Sequence, residues 1–146
     1  MAAERGPGFE RLVGQWSAQE HRAVLARSDA RYLVGQPPRA PPAGFAILEN
    51  IGDRHEGVKL KRLVVTEPGT GFGQALLAAV IDWVFENTRD ERLWLDVFSY
   101  NERARHVYRR LGFVEDGLLR QAYVLPDGTR ADRVIMSMLR SEWDAR

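Results

Sequence analysis

A chain of 146 residues with 45% hydrophobic content can bury one core and is too short for two ordinary domains. Its 21 Lys and Arg are matched by 20 Asp and Glu, so no global field points to nucleic acid or an anionic membrane, and any anion site has to be local. With no cysteine, disulfides, thiolate metal sites and a Cys nucleophile are excluded together, and a cytoplasmic setting is the expectation.

The N-terminus, Met1-Ala2-Ala3-Glu4-Arg5, carries no apolar signal core, and no apolar run approaches the ~20 residues that cross a bilayer, so a soluble protein is expected. Phe9 to Val13 reads as a short helix. Ser17 followed by Glu20 is a capping box and predicts a helix that runs on through His21 to about Ala26. Arg31 to Val34 has strand composition and stops at a proline-rich surface turn, Gln36 to Pro42. Gly44 to Asn50 and Val58 to Val65 then read as an antiparallel hairpin joined by a polar loop with Gly52, Asp53, His55 and Gly57.

The period changes at Gly71. From there to about Asn87, Leu76, Val80, Trp83 and Val84 recur at spacings of three and four, the stripe of a helix buried on one side. Arg92 to Phe98 is the next strand, and strand, helix, strand at this spacing implies a parallel βαβ unit with a right-handed crossover. Asn101 to Leu111 repeats the helical stripe with Ala104, Val107, Tyr108 and Leu111, and Gly112 stops it. Phe113 to Val124 and Arg133 to Leu139 flank the Leu125-Pro126-Asp127-Gly128 turn as an antiparallel pair.

The segment Gly69-Thr70-Gly71-Phe72-Gly73-Gln74-Ala75 stands between a strand and a helix, where backbone N–H groups and the positive end of the helix dipole converge on an anion. A P-loop needs Lys and then Ser or Thr after the glycines, and Gln74 and Ala75 stand there instead. The dinucleotide fingerprint needs G-x-G-x-x-G; the spacing here is G-x-G-x-G, with Asp96 as a candidate ribose partner, and only one βαβ unit follows. The bland alternative is a glycine turn that merely lets strand and helix pack closely.

Four pieces in order narrow the choice: the strand Leu60 to Val65, the turn Gly69 to Gly73 with Ala75 to Leu77, the strand Leu93 to Val97, and Asn101 to Tyr108 closing in Leu111-Gly112-Phe113. Together they resemble the GNAT superfamily of acetyl-CoA-dependent N-acetyltransferases, especially relatives acting on ribosomal and other protein N-termini. The resemblance implies an α/β fold with a mixed, mostly antiparallel sheet of six or seven strands, splayed near its centre, and helices on both faces. It implies one domain over 1–146, with residues 1–43 an acceptor-side region and 44–139 the acetyl-CoA-binding core.

In such proteins the pantetheine arm lies along the central strand, here Leu63, Val64 and Val65. The pyrophosphate would rest on the N–H groups of Gly69, Thr70, Gly71, Phe72 and Gly73, with Gln74 and Ala75. Asn101 would bond the arm or hold the splayed strand end, and Tyr108 would sit by the sulfur. Ala104 belongs to the same set, and Arg103, with Arg105, Arg109 and Arg110, offers charge to the adenosine end. Pro68 and Thr70 stand where relatives often carry polar or basic residues, so the cradle is expected to lack cations close to the pyrophosphate. Spacing supports the helix pair independently: seven residues place Asn101 and Tyr108 on one face, about 10 Å apart.

Direct transfer needs a neutral amine, an electrophilic carbonyl, donors for the oxyanion and a proton for the departing thiolate. Tyr108 is the expected general acid. Many relatives carry an acidic residue on or beside the central strand, yet this one offers Lys59, Lys61 and Arg62. Glu49 is the first candidate base, with Glu56, Asp96 or a water relay after it. His21, His55 and His106 show no metal-ligand spacing, and no metal is expected. The expected function is acetyl transfer from acetyl-CoA to a protein N-terminus, small amine or amino-acid derivative. A non-catalytic acyl-CoA-binding module and a dinucleotide-binding protein are the alternatives. Neither nucleic acid nor membrane is an expected partner, and a homodimer sharing a sheet edge is compatible with the pattern.

Overall fold

In the computed structural model, which describes residues 17–146, the chain enters helix α1 (Ala18–Leu25) through the expected capping box. The Ser17 hydroxyl accepts from the Glu20 N–H and the Glu20 carboxylate accepts from the Ser17 N–H. The short helix expected over Phe9 to Val13 lies outside the described residues. Strands β1 (Arg31–Gly35), β2 (Gly44–Glu49) and β3 (Val58–Val65) follow, then α2 (Phe72–Asn87) and β4 (Arg92–Phe98). The chain closes with α3 (Glu102–Arg110), β5 (Val114–Val124), β6 (Arg130–Leu139) and α4 (Arg140–Asp144).

Six strands form one sheet in the order β1-β2-β3-β4-β6-β5, antiparallel everywhere except between β3 and β4. Alternation along β2 assigns its two faces. Ala46 and Leu48 join Leu77, Val80, Ile81 and Val84 of α2 in the main core, whereas Ile47 packs with Val24 and Ala30 beneath α1. Helices therefore cover both faces. The terminal helix α4 had no sequence signal strong enough to expect it. It is tied down by the Arg140 guanidinium, which donates to the backbone carbonyls of Phe85, Thr88 and Asp90 at 2.9–3.1 Å.

The junction of β3 and β4 positions everything that follows. Only Val58↔Leu93 and Lys59↔Trp94 are in register, after which the strands part. Outer neighbours hold each arm: β2 accompanies β3 as far as Val65, and β6 accompanies β4 as far as Phe98. The closed end is pinched at Gly57. Its φ is +81°, and a Cβ there would stand 2.3 Å from the Arg92 carbonyl oxygen. The Arg92 guanidinium adds a bond to the Glu56 carbonyl at 2.9 Å. A register shift in β2–β3 sets Arg62 and Leu60 opposite consecutive residues Ile47 and Leu48, so Lys61 is the extra residue of a bulge on the central strand.

Candidate active site

Two cavities open where the sheet splits. One, of about 280 Å³, is lined by Leu63, Val64 and Val65 of β3, by Gly69, Gly71, Gly73 and Gln74 of the glycine turn, and by Asn101, Arg103, Ala104 and Tyr108. The other, of about 200 Å³, lies between Leu60 to Leu63 and Leu95 to Phe98 and takes Tyr123 and Arg133 from the β5–β6 pair. Leu63, Asn101, Ala104 and Tyr108 belong to both. The gap between the strands is thus continuous from the glycine turn to the second cavity.

The glycine turn has the features of an anion cradle. Gly69 and Gly71 both have positive φ, and a Cβ on Gly71 would meet nothing within 4 Å, so the turn encloses space rather than permitting tight packing. No side chain caps α2, and its first turn carries no acidic residue. The Gly73 and Gln74 N–H groups find no acceptor among the described residues and face the open end of the helix dipole. Two expected donors are already engaged. The Ala75 N–H starts the helical ladder on the Gly71 carbonyl at 3.2 Å, and the Phe72 N–H reaches the Thr70 hydroxyl at 3.4 Å. Thr70 itself donates to the Glu67 carbonyl and does not line the cavity.

A cation does stand at this cradle, contrary to the expectation drawn from Pro68 and Thr70. The Arg103 guanidinium lies 3.9 Å from where a Gly69 Cβ would be, delivered from α3, and it has no ion-pair partner among the described residues. It comes from α3 and not from the turn itself. Asn101 caps α3, its Oδ1 accepting from the Ala104 N–H at 3.2 Å, and it still lines both cavities. Tyr108 packs edge-on against Phe113, and its hydroxyl has no hydrogen-bond partner among the described residues. Burial, and secondarily the negative charge of Asp96, pushes its phenol up to about 12.

Of the sequence candidates for a base, Asp96 alone reaches either cavity. Glu49 sits opposite Lys59, where β3 begins, with its carboxylate 3.3 Å from Arg27, and lines neither cavity. Glu56 lines neither either. Asp96 does reach the second cavity, but it is held between Lys59 Nζ at 2.9 Å and Arg133. Burial alone would raise the Asp96 carboxyl; the Arg133 hydrogen bond and the charges of Lys59 and Arg133 outweigh it and hold the group below the ordinary carboxylate value. Lys61 is also displaced downward, pushed by burial and then by its neighbours Lys59 and Arg62.

Lys61, Arg62, Phe98, Tyr123 and Arg133 line the second cavity, and sequence reasoning assigned none of them to a site. No local motif marks them, because four strands, β3, β4, β5 and β6, bring them together. His21 is buried with Nδ1 2.7 Å from the Tyr32 hydroxyl, in an edge-on aromatic cluster with Phe45. Among the described residues no group of three or more His, Cys, Asp or Glu is placed to hold a metal ion, and no helix is long and apolar enough to cross a membrane.

A model of the acetyltransferase (GNAT) family matches residues 4–113. The chain belongs to that family. This GNAT chain is 32% identical over 94 residues to a ribosomal-protein alanine N-acetyltransferase of Haemophilus influenzae, covering 64% of the chain and 62% of the relative. It is 28% identical over 101 residues to a spermidine N-acetyltransferase of Vibrio cholerae, covering 68% and 58% respectively. The match thus spans roughly three fifths of each relative's length. A crystal structure of the Vibrio cholerae spermidine enzyme, in complex with CoA and spermine, superposes with a TM-score of 0.76 at 23% identity over 86% of this chain and 74% of that one. The shared fold includes the mixed, mostly antiparallel sheet described above.

Proposed function

We propose that this GNAT chain transfers the acetyl group of acetyl-CoA directly to a primary amine, the class of reaction named for both curated relatives. The observation that carries the proposal is the continuous gap between β3 and β4, with an uncapped helix N-terminus and Arg103 at one end and Tyr108 at the junction with a second cavity. The open cradle, its unpartnered amides and the adjacent guanidinium fit a diphosphate. Gly71, Gly73, Gln74 and Arg103 would hold it. The unpaired edge of Leu63, Val64 and Val65, with Asn101, would hold the pantetheine arm. When bound, acetyl-CoA supplies an activated thioester carbonyl and a thiol leaving group.

The chain's own residues then divide the remaining work. Backbone N–H groups of β3 facing the gap polarise the carbonyl, and a preorganised donor of this kind is worth about 3 kcal/mol. The amine nitrogen bonds to the carbonyl carbon, the carbon–sulfur bond breaks, the nitrogen loses one proton and the sulfur gains one. Tyr108 holds a proton where the cavities meet. A phenol near 12 is a weaker acid than an ordinary thiol at about 8.5, so its main contribution is a hydrogen bond to developing negative charge, with the proton following.

No free carboxylate lines either cavity among the described residues. Deprotonation is instead eased by desolvation of the amine in the cavity, and water carries its proton away. An α-amino group, near 8, needs less of this help than a lysine near 10.4. The lack of a dedicated base also favours a second reading, an acyl-CoA-binding module without transfer. The described residues before 44 line neither cavity, which fits a cofactor core over 44–139. Calorimetry with acetyl-CoA, followed by thiol detection with a panel of primary amines, tests the proposal. Acceptor-dependent CoA release supports transfer; tight binding without any release leaves the binding module; no binding overturns both.

A further inference from the structure

The second cavity carries one more residue that an acceptor can use, and this step rests on the transferase reading above. β5 is exposed along its length: of its eleven residues only Tyr123 is not. A bulge accounts for that exception. Between Leu119↔Arg133 and Tyr123↔Ala131, three residues of β5, Arg120, Gln121 and Ala122, stand opposite the single Asp132 of β6. Gln121 sits in the left-handed region at φ +52°, its N–H donating to Asp132 Oδ1 at 2.7 Å and its carbonyl accepting from Arg130 Nε at 3.1 Å. Bulges re-aim the side chains beside them, and a non-glycine residue at positive φ persists only where its surroundings hold it. The Tyr123 ring packs edge-on against Phe98 with centroids 5.1 Å apart, beside Leu125 and Ala131, and the Arg133 guanidinium lies over it at 5.4 Å.

The ring is fixed on several sides, yet its hydroxyl has no hydrogen-bond partner among the described residues. An acceptor nitrogen has to aim its lone pair at the thioester carbonyl, so its N–H groups need oxygen atoms in the cavity wall, and burying them without one is costly. Four of the described lining residues carry a side-chain oxygen: Asp96, Asn101, Tyr108 and Tyr123. Asp96 is held by Lys59 and Arg133, and Asn101 caps α3. Tyr108 stands where the cavities join, whereas Tyr123 lines the second one alone. We infer that Tyr123 is an acceptor-binding residue, its hydroxyl oxygen accepting an N–H of the primary amine that enters the second cavity. Tyr123 then acts on acceptor binding, and Tyr108 on the transfer itself.

The test compares the full wild-type chain with Tyr123→Phe, which deletes the hydroxyl and keeps the ring. CoA thiol release is measured at saturating acetyl-CoA and about pH 9, where an α-amino group, near 8, is mostly neutral. L-alaninamide, the peptide amide Ala-Ala-Ala and spermidine serve as acceptors. A bond made alike in the ground and transition states changes KM and not kcat, so KM for every acceptor turned over should rise about tenfold, with kcat within about threefold of wild type and the acetyl-CoA Kd within about twofold. The rise should be similar for each, because the amino group is what they share. Tm should stay within about 3 °C of wild type, since the hydroxyl makes no bond among the described residues. Acceptor KM values within about twofold of wild type, or a rise for some acceptors and not for others, overturn the inference and leave acetyl transfer standing. A larger fall in Tm, or failure of the variant to fold, also overturns it, because the hydroxyl would then serve the fold. Absence of CoA release from all three acceptors by the wild type removes the transferase reading and this inference with it.

Discussion

Tyr108 and Arg103 stand on one short helix, and the two make separable contributions. Tyr108 lines both cavities, while Arg103 lines only the one at the glycine turn. Tyr108→Phe keeps the packing against Phe113 and deletes one hydroxyl. Because a phenol near 12 is poorly matched to neutral pH, the loss in kcat should fall at the low end of general-acid effects, about a hundredfold, with the KM for acetyl-CoA within about threefold of wild type in steady-state assays. The same upward displacement has a stability consequence. The folded state keeps this proton more tightly than the unfolded chain does, so its contribution is complete below pH 10 and lost as pH rises towards about 12, a decline that Tyr108→Phe should flatten in alkaline denaturation. Arg103→Ala should weaken acetyl-CoA binding about tenfold by calorimetry and reduce its dependence on salt, since a hydrogen bond to a charged group contributes about 1.5–3 kcal/mol.

At the scale of elements, two glycines with positive φ serve different ends. At Gly57 an added Cβ meets the Arg92 backbone, which cannot move without opening the pinched end of the β3–β4 split; at Gly71 it meets nothing. Gly57→Ala should therefore cost more than the ~1–2 kcal/mol of left-handed strain alone, lowering Tm by at least about 4 °C. Gly71→Ala should cost only that strain, yet weaken acetyl-CoA binding because its methyl fills the cradle. The elements themselves were largely legible in the sequence. The stripe of α2 and the parallel crossover followed from period and residue type, because local propensity and burial agree there. The second cavity was not legible. Lys61, Asp96 and Arg133 meet only because the β6 strand returns beside β4, and no spacing rule encodes a contact between residues so far apart. Arg103, offered by the sequence as charge for the adenosine end, lies beside Gly69 of the turn, whereas Glu49 is drawn off to Arg27 by a contact across the β1–β2 end that its position on β2 did not reveal.

The whole molecule is a sheet left unfinished along one seam. From Leu60 to Val65 one edge of β3 has no strand partner, and the same gap ends at a helix whose first amides are unsatisfied. A ligand that fills the gap supplies both missing sets of contacts to the folded state and none to the unfolded chain, so binding must appear as stability. At a hundredfold excess over Kd the gain is about 2.7 kcal/mol, which for a chain of this size raises Tm by roughly 5–10 °C. Acetyl-CoA should produce that shift. Acetyl-pantetheine lacks the diphosphate and should produce only a fraction of it at equal concentration, because it completes the β3 edge without engaging Gly73, Gln74 and Arg103. Nicotinamide dinucleotide carries a diphosphate but no arm to lie along β3, and should shift Tm by less than about 1 °C. A thermal scan with the three ligands thus resolves whether the seam is closed along its length or only at the helix end, and a shift from the dinucleotide equal to that from acetyl-CoA would reduce the gap to a general phosphate site.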